Sequence, residues 1–319
     1  MRICRYEYND ACSLGFYYDD TVVPIAAAAA QCREAIENAD ALQSATEPVA
    51  LLPHGRLEQT AHAVHDWLQT HANERDALAM PVDMVRLLRP IEMPGKVLLL
   101  AGNYAAHVRE SGEVAVERAE TFPYLFMKPP TTFNDPNASV PIPRVSPDHI
   151  DYECELGVVI GKRCKHVAEA NALDHVAGYL VVNDISDRCY RPTPNRKERK
   201  KDVFFDWLHG KWHDGFCPMG PCVASSRVIP DPQSLTLTQH INGVLRQNAS
   251  TARMIFPVAA VIAFISQSMT LAPGDIIATG TPEGIGMPTG QYLRSGDTLD
   301  AAIESIGILH NVMAEAESS

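Results

Sequence analysis

Glu153 and Glu155 stand two positions apart in the stretch DHIDYECELGVVIGK. Residues two apart on a β-strand share a face, so a strand here aims both carboxylates the same way, and Asp151 has the parity to join them. Gly157 and Val159 continue that face with small and apolar groups, which sends the strand toward the interior. Carboxylates converging in a buried place repel one another unless they are protonated or neutralised by a cation. A hard divalent ion such as Mg²⁺ or Mn²⁺ resolves the conflict, taking oxygen ligands at about 2.1 Å. A third carboxylate is expected from Asp184, which ends the apolar run AGYLVVND. The bland alternative is a solvent-facing strand edge, where Glu-x-Glu needs no ion.

The elements that must position these groups are short and mostly extended. ECELGVVIG, AGYLVVND, CPMGPCVAS, LTLTQHING, DIIATGTPEG and TLDAAIESIGILHNVMAE read as strands between Gly and Pro turns. One helix interrupts them, VAAVIAFISQSMTL after Pro257, stopping at Pro273 and Gly274. The earlier part has another texture. Met1 to about Ile25 alternates around the turn-like clusters YND and YDD, as a β meander does, and helices are predicted over 26–44 and 57–71. Pro90 and Pro94 precede the strand-like KVLLLAGNY, so a boundary is placed near residue 95, giving a small α/β domain (1–95) and a mainly β domain (96–319). No repeat of solenoid period is present.

Composition narrows the partners. With 27 Lys and Arg against 39 Asp and Glu, the formal charge is −12, which disfavours nucleic acid, whose phosphates must be neutralised. No apolar run reaches the roughly 20 residues needed to span a bilayer, and MRICRYEYND has no apolar core behind its charge, so neither a membrane helix nor a secretion signal is expected. The eight cysteines form no C-x-x-C pair, as fits reduced thiols in a cytoplasm.

Six stretches in order resemble the fumarylacetoacetate hydrolase (FAH) family of metal-dependent acylpyruvate hydrolases, isomerases and decarboxylases. They are GNYAAHVRE (102–110), FMKPP (126–130), DYECELGVVIGK (151–162), VVNDIS (181–186), GKWHDGFCPMGP (210–221) and ATGTPEGIG (278–286). The resemblance implies an α+β, mainly β fold, the family's mixed β-sandwich roll, usually as a homodimer. It implies Glu153, Glu155 and Asp184 as metal ligands, in agreement with the strand-face argument, and Lys211 as the cation that steadies an enolate or a substrate carboxylate. It also makes His107 and Glu110 a catalytic pair on a mobile segment that closes over the substrate. Their spacing of three puts both on one helical face, and a glutamate on one imidazole nitrogen raises the basicity of the other. Thr281, with adjacent backbone N–H groups, matches a position close to the metal that holds a substrate carboxylate. Lys128 reads either as a binding residue or as a loop stabiliser. The glycines of GTPEGIG serve turns, since no strand-G-x-G-x-x-G-helix unit surrounds them.

The chain departs from the family's Ala-Arg-Asp pattern after the metal aspartate. Asp187 replaces the alanine, Arg188 is kept as a candidate substrate-binding residue, and Cys189 replaces the aspartate. A packed thiol is expected at Cys189. The basic island NRKERKK (195–201) reads as a solvated loop or, with Phe204, Phe205 and Trp207, as a lid that draws in an anion. The function expected is metal-dependent C–C bond hydrolysis of an acylpyruvate-type β-diketo acid, with a small anionic 2-oxo acid as substrate. Its rivals are keto–enol isomerisation or decarboxylation of a 2-oxo dioic acid and, more remotely, a binding protein without chemistry. Retention of every catalytic side chain argues against the last.

Overall fold

A computed structural model of the chain describes residues 1–315. The last four residues of the proposed second domain lie outside the described residues.

The opening residues form an antiparallel meander of β1 (Arg2–Tyr8), β2 (Ala11–Tyr18) and β3 (Thr21–Pro24). Its turns fall at YND and YDD, where Asn9, Asp10 and Asp19 take positive φ, a conformation Asn and Asp tolerate better than other side chains. The helix expected over 26–44 is broken. α1 (Ile25–Gln31) uses its alanines against the core, but in QCREAIEN only Cys32 and Ile36 reach it. Turns follow, Asn38 turns left-handed (φ 60°), and 39–44 is a 3₁₀ segment. α2 (Glu58–Thr70) keeps the expected periodicity by burying Ala61, Val64 and Leu68. α3 (Ala72–Leu78), β4 (Met80–Pro81) and β5 (Arg86–Leu88) complete this part.

After residue 95 come β6 (Val97–Ala101), α4 (Ala105–Glu110), β7 (Tyr124–Met127), β8 (Phe133–Asn134), β9 (Ser139–Ile142) and β10 (Ile150–Asp151). The long β11 (Cys154–Ile160) and β12 (Val176–Asn183) are buried along their whole length and read as near-continuous apolar runs, because both sheet faces are covered. Next are β13 (Ser186–Asp187), α5 (Asp202–His209), β14 (Cys217–Ser225), β15 (Thr236–Ile241), β16 (Val244–Ser250), α6 (Val258–Ser268), β17 (Ile276–Ala278), β18 (Thr298–Ile303) and β19 (Gly307–Glu315).

One large sheet runs β4-β3-β2-β1-β14-β12-β11-β17-β6-β7, with β5 added to β1 and β8 to β14. A five-stranded sheet, β16-β15-β18-β19-β9, lies on one side of it, and β10 pairs with β13. The architecture is mixed, mainly β, and layered. Adjacent residues divide between the faces of the large sheet: Ile3, Leu99 and Val159 meet α1 and α2, whereas Cys4, Leu98 and Val158 meet α6 and the smaller sheet. The proposed division near residue 95 falls between β5 and β6, and the large sheet continues across it through the pairing of β1 with β14.

Candidate metal and catalytic site

Glu153 precedes β11 and Glu155 lies within it, sharing the parity of Val159 and so the face that carries α1 and α2. Asp184 follows β12, the antiparallel neighbour of β11, and its N–H donates to the Glu153 carbonyl at 2.9 Å. One oxygen from each of the three carboxylates lies within 4.8 Å of the others, and all three residues are buried. Asp151, whose parity allowed it to join them, turns elsewhere. It accepts hydrogen bonds from the N–H groups of Tyr152, Gly286 and Met287 and from Arg188 Nε (2.9, 2.6, 3.0 and 2.9 Å), so it anchors the GTPEGIG loop.

The carboxylates are unequal. Burial disfavours the charge on Glu153, but Lys211, Arg188 and His107 outweigh it and hold its pKa well below the usual range. Glu155 has the opposite fate, since burial and the neighbouring charges of Asp184 and Glu153 push its pKa well up. Only Gly280 N–H reaches it among the described residues, at Oε2 (2.8 Å), and its buried Oε1 accepts nothing. A buried acceptor without a donor, facing two carboxylates, is what a hard divalent cation would satisfy. The donor set, all oxygen, fits Mg²⁺ or Mn²⁺.

Three cations surround the triad. Lys211 Nζ donates to Asp184 Oδ2 (2.6 Å), Ser186 Oγ (2.9 Å) and Glu153 Oε2 (3.1 Å), using all three of its protons, and the attraction of these acids raises its pKa against the effect of burial. It is delivered there because Gly210 packs against the backbone of Asp187: a Cβ on residue 210 would stand 2.3 Å from the Asp187 carbonyl oxygen. Lys128 Nζ lies 2.5 Å from Asp184 Oδ1 and also donates to the carbonyls of Ile185 and Phe216, so it both touches a candidate ligand and ties down two chain segments. Arg188 bridges Asp151 to Glu153, with Nη2 2.6 Å from Glu153 Oε1. Of the residues expected to meet substrate, Arg188 and Thr281 thus have protein partners. Thr281 Oγ1 donates to the Cys154 carbonyl (3.0 Å) and accepts from Gln247 Nε2 (2.8 Å), and Gln247 Oε1 also receives Cys154 N–H.

His107 and Glu110 share a face of α4 as their spacing requires, with Nδ1 2.9 Å from Glu110 Oε1. The other carboxylate oxygen accepts Gly284 N–H at 2.9 Å, so the segment expected to move is docked on the GTPEGIG loop. Gly284 sits at φ 101° with the Arg246 carbonyl oxygen 2.2 Å from where a Cβ would be, which leaves room only for glycine. When protonated, His107 is among the cations whose charge lowers the Glu153 pKa, which places the pair in the electrostatic neighbourhood of the triad.

Sequence reasoning missed Ser186, Gln247 and Phe126 as parts of the site. Ser186 stands two residues past Asp184 in VVNDIS, which was a usable signal; Gln247 comes from the smaller sheet and carried none. The basic island is largely exposed, as a solvated loop is, and its two arginines are paired with acids of α5. Arg196 pairs with Asp202 and Asp206, Arg199 with Asp202, and Arg191 with Glu198. Cys189, expected to be packed, is exposed, in a turn where its N–H donates to Asp187 Oδ1.

Layered sheets with an all-carboxylate pocket, two lysines and a His–Glu pair define an enzyme-type fold built around an acidic centre. The family model described as fumarylacetoacetate (FAA) hydrolase C-terminal matches residues 96–314, and the chain belongs to this family. It is 40% identical over 229 residues to a 2,4-didehydro-3-deoxy-L-rhamnonate hydrolase of Sphingomonas sp. (strain SKA58), covering 71% of this chain and 75% of that protein. Its structure is similar to that of a 2-hydroxyhepta-2,4-diene-1,7-dioate isomerase from Mycobacterium marinum (TM-score 0.69, 29% identity, all of both chains). It is also similar to maleylpyruvate hydrolase from Sphingobium sp. SYK-6 in complex with manganese (II) ion and pyruvate (TM-score 0.71, 26% identity, 99% of this chain and 100% of the other). Hydrolases and isomerases thus both stand among its relatives.

Proposed function

We propose that the protein is a divalent-metal-dependent hydrolase that cleaves a carbon–carbon bond in a β-diketo acid of the acylpyruvate type, releasing a 2-oxo acid and a carboxylic acid. The observation that carries the reading is the His107–Glu110 pair, docked on the GTPEGIG loop through Gly284 beside a buried triad of carboxylates. Mg²⁺ or Mn²⁺ held by Glu153, Glu155 and Asp184 would supply Lewis-acid polarisation of the 2-oxo acid's oxygens. Glu110 fixes the proton on His107 Nδ1, leaving Nε2 as the base that takes a proton from water. The water oxygen bonds to the distal carbonyl carbon, and the bond from that carbon to the methylene breaks. Its electron pair becomes the enolate of the departing 2-oxo acid, which is then protonated at carbon. Lys211 favours that developing charge through its field, its own donors being committed to Asp184, Glu153 and Ser186.

The same enolate serves isomerisation or decarboxylation without water, and an isomerase is among the similar structures. Acetylpyruvate and oxaloacetate, assayed in parallel with metal-free and Mg²⁺- or Mn²⁺-loaded protein, separate the readings. Metal-dependent release of pyruvate from acetylpyruvate, absent in Glu153→Gln, is expected. Turnover of oxaloacetate alone transfers the assignment to the decarboxylase or isomerase class. The assembly we propose is a homodimer, supported by the outermost strand β7, where exposed Tyr124 meets exposed Phe122, itself stacked on exposed Phe264. Light scattering that gives a monomer mass at micromolar concentration would remove it.

A further inference from the structure

On α5 the side chains divide. Phe204 and Phe205 are exposed, while Trp207 turns in toward the site. Its ring meets Phe126 edge-on (centroids 5.0 Å apart, planes at 70°), and Phe204 leans on its outer side at 5.8 Å. The two inner rings share one cation: Lys211 Nζ is 5.2 Å from the Phe126 centroid and 5.6 Å from that of Trp207. Since Lys211 Nζ is 2.6 Å from Asp184 Oδ2, this aromatic wall stands one ammonium group away from the candidate metal carboxylates. Trp207 is only partly buried, and so part of its surface is left for something other than protein.

The helix that carries the wall is pinned. Asp202 accepts from Arg196 Nε and from both the N–H and Nε of Arg199, each at 3.0 Å, and Asp206 accepts from Arg196. The arginines that might have met an anion on this side are therefore bound to acids of α5. Lys128, Lys211 and Arg188, nearer the triad, are likewise held by carboxylates. A ligand extending past Lys211 along α5 meets ring faces, whose quadrupole is negative. A carboxylate placed against these rings meets their negative faces and gains nothing from Arg196 or Arg199, whereas a flat apolar group gains contact area.

We infer that Trp207, backed by Phe126, is a specificity-determining residue, and that the site selects 2-oxo acids whose distal group is uncharged and flat or apolar over those ending in a second carboxylate. This rests on the 2-oxo acid reading made above. Three stable oxamates probe it without turnover: oxamate itself, N-phenyloxamate with an uncharged ring, and N-oxalylglycine with a distal carboxylate. Calorimetric titration into the Mg²⁺- or Mn²⁺-loaded protein is expected to rank N-phenyloxamate roughly 10-fold tighter than oxamate, with N-oxalylglycine no tighter than oxamate. Trp207→Ala should bring N-phenyloxamate to the level of oxamate while changing oxamate itself by less than about 2-fold, and Trp207→Phe should keep most of the preference. Tighter binding of N-oxalylglycine than of N-phenyloxamate overturns the inference. So does an equal weakening of all three probes by Trp207→Ala, the mark of a merely structural ring. Failure of oxamate to bind overturns the 2-oxo acid reading and this inference together, whereas oxamate binding with the wrong rank overturns this inference alone.

Discussion

The region around α1 and α2 and the region around the triad lie on the same face of one sheet and are held by opposite physics. In the first, Phe16, Ala28, Leu42, Ala61, Val64 and Leu68 are buried with one another. Each contact there is non-directional, and its loss costs the area that side chain buried plus whatever cavity its neighbours fail to close. In the second, Asp151, Glu153, Glu155, Asp184, Lys128 and Lys211 are buried, and each is tolerable only because of a particular partner. The contrast teaches where the molecule is forgiving. Apolar packing degrades gradually, whereas a buried charge network fails when a charge is left without its partner.

The sharpest way to break the comparison is Lys211→Met, which leaves Asp184 and Glu153 facing each other without their shared ammonium. A loss of about 3–5 kcal/mol in urea unfolding is expected without metal, with part regained on adding Mg²⁺. A loss as small as a surface substitution would mean that the network is not under electrostatic tension. Leu68→Ala in the apolar region should cost about 2–4 kcal/mol, and the deficit should be indifferent to metal. A metal-sensitive deficit would merge the two regions into one.

Glu155→Gln sharpens the contrast by its sign. It removes a buried carboxylate whose ionisation its neighbours oppose, so the metal-free protein should become more stable. Stabilisation by Mg²⁺, about 2.7 kcal/mol for the unaltered chain at a hundred times Kd, should disappear. Thermal unfolding with and without Mg²⁺ reads both halves. The smallest effect belongs to His65, which packs edge-on against Phe16; burial and the chain's N-terminal ammonium lower its pKa to about 4. The unfolded chain, with a histidine near 6.5, takes up a proton first on acidification. The contribution of His65 is therefore complete above about pH 6.5 and declines as pH falls toward about 4. Urea midpoints at about pH 7 and about pH 5 should converge slightly in His65→Phe; an unchanged gap removes His65 from the acid response.

What could be read in the sequence was local periodicity. The shared face of Glu153 and Glu155, the helical face of His107 and Glu110, and the meander turns at YND and YDD follow from spacings of two, three and one. What could not be read was competition for partners. Nothing adjacent to Thr281 announces that Gln247, from the other sheet, takes its lone pair, and nothing near Lys211 shows that all three of its protons are engaged. Asp151 illustrates the limit: its parity matches Glu153, yet two N–H groups from residues 286 and 287 draw it to the loop. The alanine run ended early as a helix because past Gln31 only Cys32 and Ile36 reach the core, too narrow an apolar stripe to carry further turns, and Asn38 reverses the chain.

The pairing of Arg2 and Ile3 with Ala224 and Val223 sets a timetable for synthesis. Ile3, Phe16 and Leu68 share their core with Val182, Met219 and Val223, which leave the ribosome roughly 10–40 s later at about 5–20 residues per second. Through that interval the nascent meander has α1 and α2 but lacks the strands that close its inner face. A chain stalled before β14 should therefore display a sticky half-core, and chaperones that recognise exposed aliphatic surface would meet this protein early, long before its acidic centre exists.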